Sequence, residues 1–185
     1  MTPTASLPAS DLPTVATVRS QTSAVQIHRG PLAQDQLAVL APALAHLEAL
    51  ALSGEASLWG EGGLADTLSL PQSAVALLGP IESPIAYCLF SCIGDECEVL
   101  QIVTHPQHLR QGHGLALLHA VFEHARERHC DRVFLEVRRG NRPARALYDR
   151  LEFQAVGLRR GYYQSQPSPP QDSADNDAIL LSRSL

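Results

Sequence analysis

The segment VFLEVRRGN, residues 133–141, sets a carboxylate, Glu136, among Val133, Phe134, Leu135 and Val137 in a run that reads as a β-strand. An unpaired carboxylate inside a strand costs several kcal/mol or must keep its proton, so Glu136 needs a compensating partner or a task. By alternation it shares a sheet face with Phe134 and Arg138. On the residues alone, an ion pair with Arg138 or Arg139 is the leading reading. Upstream, RQGHGLALLHA places Gly112 and Gly114 where a loop enters a helix. Such a junction aims backbone N–H groups and the positive end of the helix dipole at an anion, and glycine lets a phosphate reach the backbone. A tight turn needs the same glycines. A dinucleotide fingerprint would want a third glycine where Leu117 stands, which argues against a Rossmann site. Tyr148 lies on the apolar stripe of a short helix and reads first as a core tyrosine. Asn141 reads as a turn residue after Gly140.

Composition narrows the chemistry. The 185 residues contain no lysine, which excludes a P-loop lysine, a pyridoxal Schiff base and a lysine nucleophile. Cys88, Cys92, Cys97 and Cys130 form no CxxC pair, and neither they nor the eight histidines fall at zinc-ligand spacing, so reduced thiols and no metal are expected. The net charge of −5 is uneven. Residues 1–104 hold ten acids against Arg19 and Arg29, whereas residues 105–185 hold twelve arginines against nine acids. An acidic half suits a basic substrate and a basic half a phosphate-bearing ligand, although ordinary surface variation gives the same count.

These residues must be positioned by a mixed α/β sheet. Leu37, Leu40, Leu44 and Leu47 recur at helical spacing and predict a helix over residues 33–52, kinked or staggered near Pro42. AVALLG, PIAYCLFSCI and CEVLQIVTHP predict three strands joined by turns. Helix, strand, helix and two strands follow, with helices placed ahead of the first strand. Residues 1–24, rich in Thr, Ser, Pro and Ala, read as a disordered tail; residues 25–185 read as one domain, with residues 164–177 a mobile loop. Without a basic n-region, an unbroken apolar core or a span of roughly 20 apolar residues, neither secretion nor membrane insertion is expected, and a cytoplasmic location is.

The ordered set VLQIVTHP, RQGHG, LEVRRGN, ALYDRLEF and RRGYY resembles the GNAT acetyltransferases, and within them the RimI-type branch that acetylates the N-terminal alanine of a small-subunit ribosomal protein. The match is close over residues 98–163 and returns at DNDAILL. Over residues 25–97 only the organisation matches. The resemblance implies a GNAT fold, an α+β sheet that is mostly antiparallel and flanked by helices, whose splayed strands take acetyl-CoA. It implies that the backbone amides of Arg110, Gln111, Gly112, His113, Gly114 and Leu115 hold the pyrophosphate. Ile102, Val103 and Thr104 would bind the pantetheine arm and supply an N–H near the thioester oxygen. Asn141 would lie beside the cofactor, Glu136 would be the general base and Tyr148 the general acid. The implied partner is the basic N-terminus of a protein, with neither nucleic acid nor membrane involved.

Five departures stand out. Leu109 and Leu115 replace residues that are commonly polar or basic. Glu152 stands where the family has glycine. The segment LWGEGGL and the Pro/Ser insertion after Tyr163 differ where an acceptor would be recognised. A GNAT enzyme acting on a small amine or on other protein N-termini, and a non-catalytic acyl-CoA-binding module, therefore remain as alternatives; a binding module has no use for both an acid and a base.

Overall fold

The computed structural model describes residues 16–18, 24–52, 59–163 and 173–185. Along the chain run β1 (Ala16–Val18), β2 (Val25–Arg29), α1 (Gln34–Leu52), α2 (Gly60–Leu68), β3 (Ser73–Leu78), β4 (Ala86–Ile93) and β5 (Glu96–Thr104). Then come α3 (His113–Glu127), β6 (Arg132–Arg138), α4 (Arg142–Arg150), β7 (Gln154–Arg159) and β8 (Ala178–Ser184). The strands make one sheet in the order β1-β2-β3-β4-β5-β6-β8-β7. Every neighbouring pair is antiparallel except β5 with β6, which are parallel and joined through α3. This is the expected mixed, mostly antiparallel α/β architecture.

Helices cover both faces, which is why the central strands β3 and β4 are apolar nearly throughout rather than alternating. On one face Leu37, Leu40, Leu44 and Leu47 of α1 and Leu64 and Leu68 of α2 pack on Val75, Leu77, Tyr87, Leu89 and Val103. On the other, Leu117, Leu118, Val121 and Phe122 of α3 pack on Cys88, Phe90, Val133, Leu135 and Val137. By length and composition α1 is apolar enough to cross a bilayer, yet its leucine stripe is spent on the sheet. It runs through Pro42 without interruption.

Three expectations need correction. The sheet starts before the first helix: β2, with Val25 and Ile27 turned inward, is too short a run to stand out in the sequence. Ala16–Val18, inside the expected disordered tail, pairs with β2 as a strand; the rest of residues 1–23 lies outside the described residues. Of the expected mobile loop, Ser173–Asn176 is a 3-10 turn held by Arg138, which donates to the Asp175 carbonyl (3.3 Å) and to Asn176 Oδ1. Residues 164–172 lie outside the described residues.

Candidate active site

The site begins with a break in the sheet. Between β4 and β5 the register jumps from Leu89↔Gln101 to Phe90↔Val99, leaving Leu100 as a bulge that bends β5. On its other side β5 pairs with β6 only as far as Val99↔Leu135. Beyond that point β6 continues with β8 and β5 with β4, so the two parallel strands part. The His105 N–H bonds Ile85 O, the residue just before β4 (2.8 Å), and alternation then turns the main chain of Val103 toward β4 and that of Ile102 and Thr104 into the opening. The three residues expected to act together are therefore divided. Val103 anchors the strand and is buried under α1, while Ile102 and Thr104 present their main-chain groups.

Above the opening stands the N-terminus of α3. Gly112 is its N-cap at φ +84°, a conformation that favours glycine, and a Cβ there would meet nothing within 4 Å. The first helical bond is Ala116 N–H to Gly112 O, 3.0 Å, so the amides of His113, Gly114 and Leu115 have no acceptor within the helix. Among the described residues no side chain caps them, and no acid lies in the first turn. Gly114 serves another end. A Cβ there would approach Leu147 Cδ2 at 3.1 Å, so its absence lets α3 lie close to α4 and β5. Arg110 sits at φ +61°, a strained position in the same loop. The His113 ring stacks edge-on with His108 at 6.1 Å, and burial and then His108 hold its pKa below the usual imidazole value.

Tyr148 and Glu136 lie on opposite faces of the sheet. Tyr148, 3% exposed, is in the α3-side core, its ring edge-on to Phe153 at 5.7 Å. A Schellman motif fixes this helix end: Phe153 N–H bonds Tyr148 O and Glu152 N–H bonds Asp149 O, both 3.0 Å, with Glu152 at φ +61°. Burial, and then the nearby Cys88 and Tyr163, push the Tyr148 phenol well above its usual pKa, so it keeps its proton. Cys88 is the strand partner of Ile102, which sets the phenol beside the open end of β5. Asn141 is the N-cap of α4, its Oδ1 accepting from Ala144 N–H at 3.2 Å, so the turn residue of the sequence positions the helix that carries Tyr148.

Glu136 is the first residue of β6 past the last pairing with β5, on the face opposite α3. Its Oε1 accepts from Arg159 Nη1 at 2.7 Å, and its side chain is 28% exposed. The ion pair is real, but its partner is Arg159 of β7, two strands away. Arg139 pairs instead with Asp177 at 3.4 Å. Glu136 also lines a groove of about 280 Å³ with Ile93, Glu96, Glu98, Phe134 and Leu180.

Two groups escaped the sequence reading. Tyr163 lies near both Glu136 and Tyr148, and burial followed by the Glu136 charge raises its pKa. It was visible only as the last letter of RRGYY. Under the bulge, Tyr87 donates to Gln101 Oε1 and Gln101 donates to Glu48 Oε1, both at 2.7 Å. Glu48 is 1% exposed, and no local signal joins residues so far apart in the chain.

The model of the acetyltransferase (GNAT) family matches residues 46–153. The [ribosomal protein bS18]-alanine N-acetyltransferase of Escherichia coli is 33% identical over 96 residues, covering 52% of this chain. The match spans 61% of that relative's length. The crystal structure of the ribosomal-protein-alanine N-acetyltransferase from Escherichia coli superposes with a TM-score of 0.68 at 28% identity, over 86% of this chain and 93% of that one. A nourseothricin acetyltransferase superposes with a TM-score of 0.53 at 29% identity, over 62% and 66%.

Proposed function

The chain belongs to the GNAT acetyltransferase family, and on that premise we propose that it moves the acetyl group of acetyl-CoA onto the N-terminal α-amino group of a protein, the N-terminal alanine of a small-subunit ribosomal protein being the acceptor. One observation carries the reading. The β5–β6 ladder opens below an uncapped helix N-terminus, with a carboxylate on one face of the sheet and a buried phenol beside the opening on the other.

The residues present fit acetyl-CoA, whose thioester supplies the activated acetyl group when bound. Open space above Gly112 and the acid-free first turn of α3 suit the pyrophosphate, with the amides from Arg110 to Leu115 as donors. The main chain of Ile102 and Thr104 receives the pantetheine arm and donates to the carbonyl oxygen as charge gathers on it. Asn141, whose Oδ1 caps α4, offers its Nδ2 to the cofactor in this reading. Glu136, directly or through one water, takes the proton of an α-ammonium whose pKa is roughly 8. Tyr148, held protonated, donates to the departing sulfur. Attack is direct, within a ternary complex.

Glu96 and Glu98 share the groove with Glu136, and three carboxylates over the apolar floor of Phe134 and Leu180 suit a basic N-terminal segment. The activity belongs to the cytoplasm, where new ribosomal proteins present their N-termini. Turnover of acetyl-CoA with a peptide bearing that N-terminus, beside polyamines and aminoglycosides, is the test. The peptide is expected to be the best acceptor. The likeness to the nourseothricin acetyltransferase favours a second reading, a small amine, and turnover of small amines without turnover of the peptide would establish it in place of the first.

A further inference from the structure

Three thiols that acetyl transfer does not use meet at the end of the β4–β5 hairpin remote from the opening. Cys92 and Cys97 are direct cross-strand partners. The Cys92 N–H bonds Gln72 O at 2.9 Å, so the main-chain groups of Cys92 point to β3 and not to β5. Cys92 and Cys97 are thus a non-hydrogen-bonded pair, the kind whose Cα atoms lie about 4.5 Å apart with side chains closest. That spacing is within the range a disulfide spans.

Cys130 is brought to the same place by separate means. The C-terminus of α3 ends in a Schellman motif, with Cys130 N–H to Ala125 O and His129 N–H to Arg126 O, both 2.9 Å, and His129 at φ +60°. The next residue, Asp131, donates its N–H to Asp95 O in the hairpin turn at 2.7 Å. This bond ties the Cys130 segment to the hairpin, and the Cys92 thiol lies within hydrogen-bonding reach of both other thiols.

We propose that Cys92 is an oxidation site: hydrogen peroxide or a similar small hydroperoxide converts it to a sulfenic acid, which Cys97 or Cys130 resolves as a disulfide. The Cys92 thiolate attacks one peroxide oxygen, the O–O bond breaks and hydroxide leaves, so sulfur loses two electrons and the peroxide gains them. The neighbouring thiol then attacks the sulfenic sulfur, the S–O bond breaks and water leaves. In sum, two thiols and one peroxide give a disulfide and two waters. Cys92 is suited to be the attacked sulfur. A hydrogen bond from Cys97, then one from Cys130 and the charge of Arg128, hold its pKa at about 7 against the effect of burial. Cys88 has no such hydrogen bond among the described residues: it is wholly buried and its pKa is pushed up. It is the internal control.

The test needs no variant to begin. Native protein is alkylated for timed intervals near neutral pH and cleaved at Asp95, which separates Cys92 from Cys97. Cys92 is expected to label at least about tenfold faster than Cys88. Peroxide is expected to remove two titratable thiols and two hydrogens of mass, linking Cys92 to Cys97 or Cys130. With both Cys97→Ser and Cys130→Ser, oxidation should stop at a sulfenic acid trapped by dimedone. Equal labelling of Cys92 and Cys88, or a peroxide-induced link between Cys97 and Cys130 that leaves Cys92 free, overturns the proposal. Should the variants not fold, the wild-type labelling and mapping decide alone.

Discussion

Arg159 reaches over β8 to bond Glu136: its Nη1 lies 2.7 Å from Oε1, although the two residues stand on strands that do not touch. Leu180 of β8 is paired with Glu136 on one side and with Gly157 on the other, and a Cβ on Gly157 would come within 3.4 Å of the Leu180 side chain. The glycine leaves room beside Leu180, and the exposed Arg159 swings above it. The pair orients the carboxylate and leaves Oε2 to accept another donor.

Glu136→Gln keeps the shape and removes the proposed proton acceptor. Its kcat should fall by roughly 10²-fold or more at pH 7 and recover as the pH passes the amine pKa of roughly 8. An unchanged pH–rate profile would reduce Glu136 to a structural ion-pair partner. Arg159→Met should cost less, about three- to tenfold in kcat, with KM for acetyl-CoA unmoved, because it loosens the base without removing it.

Tyr148→Phe removes one oxygen from a site that keeps its ring packing against Phe153. Stability should stay within about 1 kcal/mol of the parent. The expected loss in kcat is roughly 10²-fold, and thiols of lower pKa on the acyl donor should suffer less because they leave without help. Equal losses across donors of differing thiol pKa would remove Tyr148 from the acid role.

Glu152 holds a left-handed conformation at φ +61° where the Schellman motif favours glycine. Glu152→Gly should raise unfolding free energy by about 1 kcal/mol, seen as a rise of several degrees in Tm. Glu152→Ala keeps the Cβ penalty and should gain nothing. A gain with alanine would assign the effect to the side-chain charge.

His124 is 5% exposed, edge-on to Phe90, with Nδ1 lacking a hydrogen-bond partner among the described residues. Burial first, and then the charges of Arg29 and Arg128, lower its pKa from 6.5 to about 4. The unfolded chain therefore binds a proton that the folded chain refuses. Stability is full above about pH 6.5, falls as the pH drops and levels off below about pH 4, a loss of about 3 kcal/mol. His124→Leu should flatten that part of the stability profile; a slope identical to the parent's would show that other groups titrate there.

Much of the candidate site was legible because it is built from local signals. Two glycines before a helix, an apolar strand interrupted by Glu136, and an amphipathic helix carrying Tyr148 are short-range patterns whose periods of 2 and 3.6 follow from backbone geometry. Glu152 in place of glycine was visible too, and the backbone answered it with a left-handed glutamate. What a period does not encode is which strands are neighbours. The ion-pair partner of Glu136 had to be sought among adjacent arginines, because in sequence Arg159 is 23 positions away.

The sequence by itself determined the mixed sheet and, through its family resemblance, singled out the glycine turn, Glu136 and Tyr148 as candidates for anion binding, base and acid, since each rests on residues within a few positions of one another. Only the tertiary structure decided that β5 parts from β6 at Val99↔Leu135, that Ile102 and Thr104 but not Val103 face the opening, and that Cys92, Cys97 and Cys130 meet. Those outcomes depend on a bulge at Leu100, on the direction of main-chain hydrogen bonds and on a turn-to-turn contact between Asp131 and Asp95. Each joins segments whose separation is settled when the sheet closes and not before.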